Sequence, residues 1–286
     1  MNRADMEAML KKRRPKLEVS GIPDPRIIRR LLGDCPWQLN LFCEVESTNT
    51  LLKKMAAAGA PAGTVVIADR QTGGRGRLGR SFLSPGGMGV YLSALIRPDC
   101  APTELMHLTC AVAVAMCDAV EKAFSFRPGI KWTNDLVVEN RKLGGILTEL
   151  GLDPQTGRVD YAVLGIGINC GQTEADFDES IRAMATSARM ISGREADREL
   201  LIAEMVRALE AMDRELLNGP AALLDRYRRD CITLGQAVSI VRGDEVRHAR
   251  ALDIDAEGGL IVRYDSGETG TVTSGEVSVR GLYGYI

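Results

Sequence analysis

QTGGRGRLGRSFLSPGG, residues 71–87, sets arginines at 75, 77 and 80 among glycines at 73, 74, 76 and 79. Gly74, Gly79 and Ser81 fit the phosphate-loop spacing G-x-x-x-x-G-K-S/T, with Arg80 in the lysine position. A phosphate loop must lie between a strand and a helix, so that the helix N-terminus faces the phosphates. A strand-like run, GTVVIADR (63–70), precedes this loop, but FLSPGGMG (82–89) follows it. That proline and its three glycines do not open a helix, and the lysine is missing, so a phosphate loop is excluded. Two other uses remain, an RG-type nucleic-acid contact and a solvated connection. Three arginines in six positions, each beside a glycine, favour a third: bare backbone N–H groups and guanidinium forks closing together on one compact anion.

Outward from the loop, the chain alternates. DPRIIRRLL reads as a short helix capped by Asp24 with Pro25 in its first turn. QLNLFCEV reads as a strand, NTLLKKMAAAG as a helix ending on Gly59, and MGVYLSALI as a strand after the loop. Leu105, Leu108, Val112, Ala115, Met116 and Ala119 share one face of a long core helix over 102–124. GIKWTNDLVVENRKLGGILTEL and RVDYAVLGIGINC predict three or four strands, with tight turns at Glu139–Asn140 and over 153–157. Two helices follow over 195–230, split by Asn218, Gly219 and Pro220. From Gly235 onward, five short strands in about fifty residues describe a small β-barrel appended to a larger α+β domain. The expected division is a tail over 1–23, a ligand-binding domain over 24–231 and a barrel over 232–286.

Composition limits the classes of function. With 45% apolar residues the 286-residue chain can bury a proper core, and no apolar run approaches bilayer-spanning length. The first twenty residues lack a signal-peptide apolar segment, so a cytoplasmic protein with no membrane contact is expected. Seven cysteines with no C-x-x-C pair suit reduced, buried thiols, and neither histidine (107, 248) has a second ligand at metal-binding spacing. A net charge of -2 offers no general field for nucleic acid, and the basic run over 11–16 reads as a solvated tail.

Three further stretches bear on the anion. KWTNDLVVENRKLGG places Lys131, Asn134 and Asp135 near a strand start and Lys142 after a turn, gathering two cations and a carboxylate at one mouth of the sheet. GIGIN (165–169) ends an apolar strand in an amide, with glycines where a ligand must come close. ESTN (46–49) supplies hydroxyl and amide groups at a helix start, where Ser47 also suits a plain N-cap.

Taken together, GRGRLGR, KWTNDL with RKLGGIL, GIGIN and the C-terminal SGEVSVRG resemble the biotin protein ligase family, from about residue 40 to the end. The resemblance implies a mixed β-sheet catalytic domain flanked by helices, class II synthetase-like, with a small C-terminal SH3-like barrel. It implies an enzyme that uses ATP to form biotinyl-5'-AMP and then passes biotin to a lysine of a biotin carboxyl carrier domain. Ser47, Thr48, Asn49 and Gln71 would bind the biotin ring system, while Arg75, Gly76, Arg77 and Arg80 would lie over the ligand and its adenylate. Lys142 would act between the carboxylate and the α-phosphate as the catalytic residue, with Arg75 and Arg77 beside it. Phe82, Lys131, Asn134, Asp135 and Asn169 would face the nucleotide, and magnesium would touch Asp135.

Departures from the family pattern are Phe82 for a tryptophan, Thr133 for a proline and Gly144 for an alanine. Members that also repress transcription carry an N-terminal DNA-reading domain; only 46 residues precede Ser47, so no DNA binding is expected, while a homodimer stays open. The rival readings are a lipoate or octanoate ligase, which shares the adenylation logic, a nucleic-acid module built on the RG loop, and a non-catalytic sensor. The biotin-type loop and terminal barrel weigh against the first, and an aromatic content of 5% weighs against the second. Retention of Lys142 and the arginine loop weighs against the third.

Overall fold

The computed structural model describes residues 22–273 and 278–281. Most of the expected tail, including its basic run, and the first half of SGEVSVRG lie outside these residues.

Helix α1 (Pro25–Leu32) starts as its sequence dictates, with the Asp24 carboxylate accepting the Arg26 N–H at 2.8 Å. Ile28 and Leu32 face inward from it. Strand β1 (Gln38–Val45), helix α2 (Thr48–Ala57) and β2 (Thr64–Gln71) form a right-sized crossover unit, since β1 and β2 pair in parallel and need a helix between them. All later neighbours in the main sheet are antiparallel: β3 (Gly89–Ile96), β4 (Gly129–Lys131), β5 (Asp135–Val138), β6 (Arg141–Leu152) and β7 (Val159–Asn169). The order β1-β2-β3-β7-β6-β5-β4 makes a seven-stranded mixed sheet. Glu139 and Asn140 both adopt positive φ (49° and 61°), the geometry of a two-residue hairpin turn between β5 and β6.

Alternation along β3 decides what lies on each face. Val90, Leu92, Ala94 and Ile96 join the large core cluster that also holds helix α3 (Leu108–Phe124), while Leu95 joins Leu51, Leu52 and Met55 of α2 in a separate cluster on the opposite side. Helices α5 (Arg198–Glu215) and α6 (Ala221–Asp230) complete the α3 layer. The stretch Pro102–Phe124 is long and apolar enough to cross a membrane, contrary to the expectation from the sequence. It is the core helix, with 72% of its apolar window buried against protein. Between β7 and α5 the chain forms short helical turns and one short helix, α4 (Ala188–Ser192), none of which sequence periodicity announced.

A second, antiparallel sheet of five strands follows: β8 (Ala237–Arg242), β9 (Glu245–Ile254), β10 (Leu260–Tyr264), β11 (Thr269–Val272) and β12 (Ser278–Gly281), in the order β11-β10-β9-β8-β12. It seats against the first unit through buried polar bonds. Trp132 donates its backbone N–H to Thr233 Oγ1 at 2.9 Å and its indole Nε1–H to Gly258 O at 3.0 Å. All seven cysteines are unpaired, five of them buried; Cys35 is half-buried and Cys43 exposed.

Candidate active site

The glycine-arginine loop leaves the end of β2 and folds back on itself. Phe82 N donates to Gly74 O at 2.9 Å and Gly76 N to Arg80 O at 2.7 Å, so the loop is a tight hairpin-like strap. No helix follows it; the chain runs through a turn into β3, in agreement with rejection of a phosphate loop. Leu78, at the tip, takes φ 55°, a conformation that non-glycine residues adopt only where neighbours hold it.

Beneath the strap lies a cavity of about 590 Å³. Helix α2 contributes Ser47, Thr48 and Asn49, β2 contributes Gln71, and the strap contributes Arg75, Gly76, Arg77, Arg80 and Phe82. From the β4–β5–β6 hairpin come Lys131, Asn134, Asp135 and Lys142. Of the residues singled out in the sequence, one space takes all but Asn169. Its lining holds five cationic side chains against one carboxylate, which suits anions.

Lys142 Nζ bonds Asp135 Oδ1 at 2.7 Å across the hairpin. Arg77 reaches over the cavity to donate to Asn134 Oδ1 at 3.2 Å. Burial pushes the Arg77 guanidinium below its ordinary pKa, Asp135 pulls it back up and Arg80 adds to the fall; as an arginine it stays charged at neutral pH.

The other wall is polar but uncharged. Gln71 Oε1 accepts from the Thr48 backbone N–H at 2.8 Å and from Thr48 Oγ1 at 3.2 Å, and Gln71 Nε2 donates to Ser84 Oγ at 2.9 Å. Ser47 keeps its capping role, accepting from Thr50 N at 3.4 Å, while also lining the cavity. Asn49 is more committed than a ligand-binding amide should be. Its Nδ2 donates to Glu149 Oε2 at 2.8 Å and Leu147 O at 3.2 Å, and its Oδ1 accepts from Ser93 Oγ at 2.6 Å.

Asn169 is the one expected site residue that does not line the cavity. Its amide is buried behind the wall, donating to Thr186 O at 3.0 Å and accepting from Gln172 Nε2 at 3.2 Å. Gly165 and Gly167 of GIGIN line the cavity, and protein side chains lie close over both. A Cβ at Gly165 would fall 2.1 Å from Asn49 Oδ1, and one at Gly167 would fall 2.5 Å from the Phe82 ring. Trp132, Ile146, Leu147, Ile166 and Met184 line the cavity without having been foreseen. Four of them lie inside KWTNDL, RKLGGIL and GIGIN, which is their only signal in the sequence; Met184 carried none.

Residues 41–169 match the biotin/lipoate A/B protein ligase family, and residues 233–280 match the biotin protein ligase C-terminal domain. The chain is 33% identical over 226 residues to the bifunctional ligase/repressor BirA of Bacillus subtilis, covering 78% of this chain and 68% of that protein. It is 32% identical to the biotin--[acetyl-CoA-carboxylase] ligase of Mycobacterium tuberculosis, covering 92% of this chain and 96% of that one. The biotin protein ligase from Aquifex aeolicus, solved in complex with biotin and ATP, superposes with a TM-score of 0.73 at 27% identity, covering 85% of this chain and 99% of that one. The strap, the lysine-bearing hairpin and the polar wall thus sit in a chain that belongs to the biotin protein ligase family.

Proposed function

We propose that the cavity joins biotin to ATP and that the chain then transfers biotin to a lysine on a carrier domain. The supporting observation is the convergence of Arg75, Arg77, Lys131 and Lys142 on one space walled on its other side by neutral hydrogen-bonding groups. A carboxylate has no leaving group, so it must first be activated. One biotin carboxylate oxygen attacks the α-phosphorus of ATP, and the bond to the bridging oxygen breaks to release pyrophosphate. The carrier lysine amine then attacks the acyl carbon of biotinyl-5'-AMP, and AMP leaves. The first step forces two anions together. Fixed cations at the meeting point supply the stabilisation, by position and charge and not by a nucleophilic side chain.

Lys142 is the catalytic residue in this scheme. Its compact ammonium can touch both the carboxylate and an α-phosphate oxygen, and Asp135 holds it at the mouth until the anions arrive. Arg75 and Arg77 close over the adenylate, Arg80 extends the positive rim, and Lys131 and Asn134 face the nucleotide. Phe82 keeps an aromatic face where some members of the family carry tryptophan. Magnesium would neutralise charge on the departing pyrophosphate. Asp135 is the single carboxylate of the lining, and the described residues hold no cluster of three metal-ligating side chains, which suits an ion carried largely by the phosphates with one protein contact.

Biotin protein ligases act on the carrier proteins of biotin-dependent carboxylases, and we assign an acceptor of that kind here. The division near residue 231, a cytoplasmic location and the lack of a DNA contact belong to the same proposal. Seven unpaired cysteines suit a reducing compartment, and a net charge of -2 gives no general attraction to DNA.

Incubating the protein with ATP, magnesium and either biotin, lipoate or octanoate tests this. Biotin alone should release pyrophosphate and yield an acyl-adenylate; product from lipoate or octanoate and none from biotin would refute it.

A further inference from the structure

Ser93 and Glu149 lie outside every motif in the sequence, yet they join the polar wall into a single chain of hydrogen bonds. Ser93 is fully buried in β3, on the face toward α2. Its hydroxyl sits 2.6 Å from Asn49 Oδ1 and 2.7 Å from Thr48 Oγ1. Glu149, on β6, takes Asn49 Nδ2 at one oxygen and Lys53 Nζ at the other.

The direction of each bond follows from the chemistry of its partners. Ionised Glu149 and Leu147 O are acceptors only, so they fix the Asn49 NH2 group toward β6 and its carbonyl oxygen toward Ser93. Ser93 therefore donates, and Thr48 Oγ1 receives part of that shared proton. The Thr48 proton then points on to Gln71 Oε1, which the Thr48 backbone N–H also occupies. With Oε1 filled, Gln71 must offer its NH2 group. One N–H goes to Ser84 Oγ, which itself donates to Phe82 O; with Gln71 lining the cavity, the second N–H is available to a ligand there. The wall therefore presents an N–H donor at Gln71 beside a lone-pair acceptor at Thr48.

We infer that Ser93 and Glu149 are positioning residues that orient Thr48 and Gln71 so that this donor-acceptor pair meets a ligand edge carrying C=O next to N–H, as a cyclic urea does. The inference rests on biotin as the ligand of the cavity. Burial opposes ionisation of Glu149, but its bonds to Lys53 and Asn49, with the charges of Lys53 and Arg75, hold the carboxyl below its ordinary pKa. The acceptor at the head of the chain is thus ionised at neutral pH.

Calorimetry without ATP tests the inference, with biotin and its cyclic guanidine analogue 2-iminobiotin as probes. The wild-type protein should prefer biotin by at least about tenfold, since the guanidinium sets donors against the Gln71 NH2 group. Ser93→Ala should weaken biotin about tenfold while the KM for ATP stays within about twofold. Glu149→Gln, a near-isosteric change on the wall's outer side, should weaken biotin in the same direction. Equal binding of the two probes by wild type, or unaltered biotin affinity in both variants, overturns the inference. So does an ATP KM that rises in step with the biotin Kd, which would mean general loosening. If wild type binds neither probe, the assignment of biotin to the cavity fails first, a result distinct from all of these.

Discussion

At single residues, the site is defined by what is allowed to approach what. Gly165 has room for no side chain, because a Cβ there would sit 2.1 Å from Asn49 Oδ1 and Asn49 is tied in three directions. Gly165→Ala should therefore displace Asn49, lower stability by about 1–3 kcal/mol and weaken biotin binding at least tenfold, as thermal melts and calorimetry would show. Arg77 spans the cavity to Asn134, so Arg77→Ala should open the strap and let adenylate escape. Labelling of bystander lysines should then rise above the wild-type level; unaltered retention would contradict the role. Residue identity in the motifs was enough to bring Lys142 and the arginines to one cavity, since charge density and glycine spacing are visible in letters. Asn169 stays out of the cavity lining because an amide at a strand end can face either side of the sheet, and this one faces Thr186 and Gln172. Ser93 was invisible, being a single small polar residue in the apolar run VYLSALI.

Among the elements, α2 and β6 are held together by the Lys53–Glu149 pair, whose side chains are 30% and 22% exposed. Glu149 has a folded pKa below its ordinary value of 4.5. The stabilisation it contributes is present above the unfolded pKa and is lost as pH falls through the lower folded one. Glu149→Gln should accordingly melt below wild type at pH 7, by roughly 1 kcal/mol, and the gap should close as pH falls through the lowered folded pKa of Glu149. A gap that persists at low pH would contradict this. β1, α2, β2 and β3 were legible because each carries strong periodicity, and Ser47 and Asp24 mark helix starts to the residue, whereas the run from β4 to β7 was legible only as three or four strands. The stretch between β7 and α5 was not legible. Its short helical turns are too brief to establish a period, and Met184 enters the cavity lining from there because Thr186 N pairs with Lys142 O at 2.9 Å.

For the molecule as a whole, the C-terminal sheet and the larger unit meet at Trp132, which lines the cavity while its indole N–H is bound by Gly258 O. Trp132→Phe would leave that carbonyl buried without its donor, lowering stability by about 1–3 kcal/mol and raising the KM for ATP more than the Kd for biotin. The α+β core and the appended run of short strands were legible from spacing alone; their contact was not, because a tryptophan in a motif says nothing of which distant carbonyl it meets. The central claim is that Lys142 provides the charge that lets two anions react. Single-turnover formation of biotinyl-5'-AMP by Lys142→Ala, with a melting curve in parallel, tests it most directly. The rate should fall by about 10²–10³ while the melting temperature stays within a few degrees of wild type, since the lysine sits at an open mouth. A folded variant that forms the adenylate within a few-fold of the wild-type rate would contradict it.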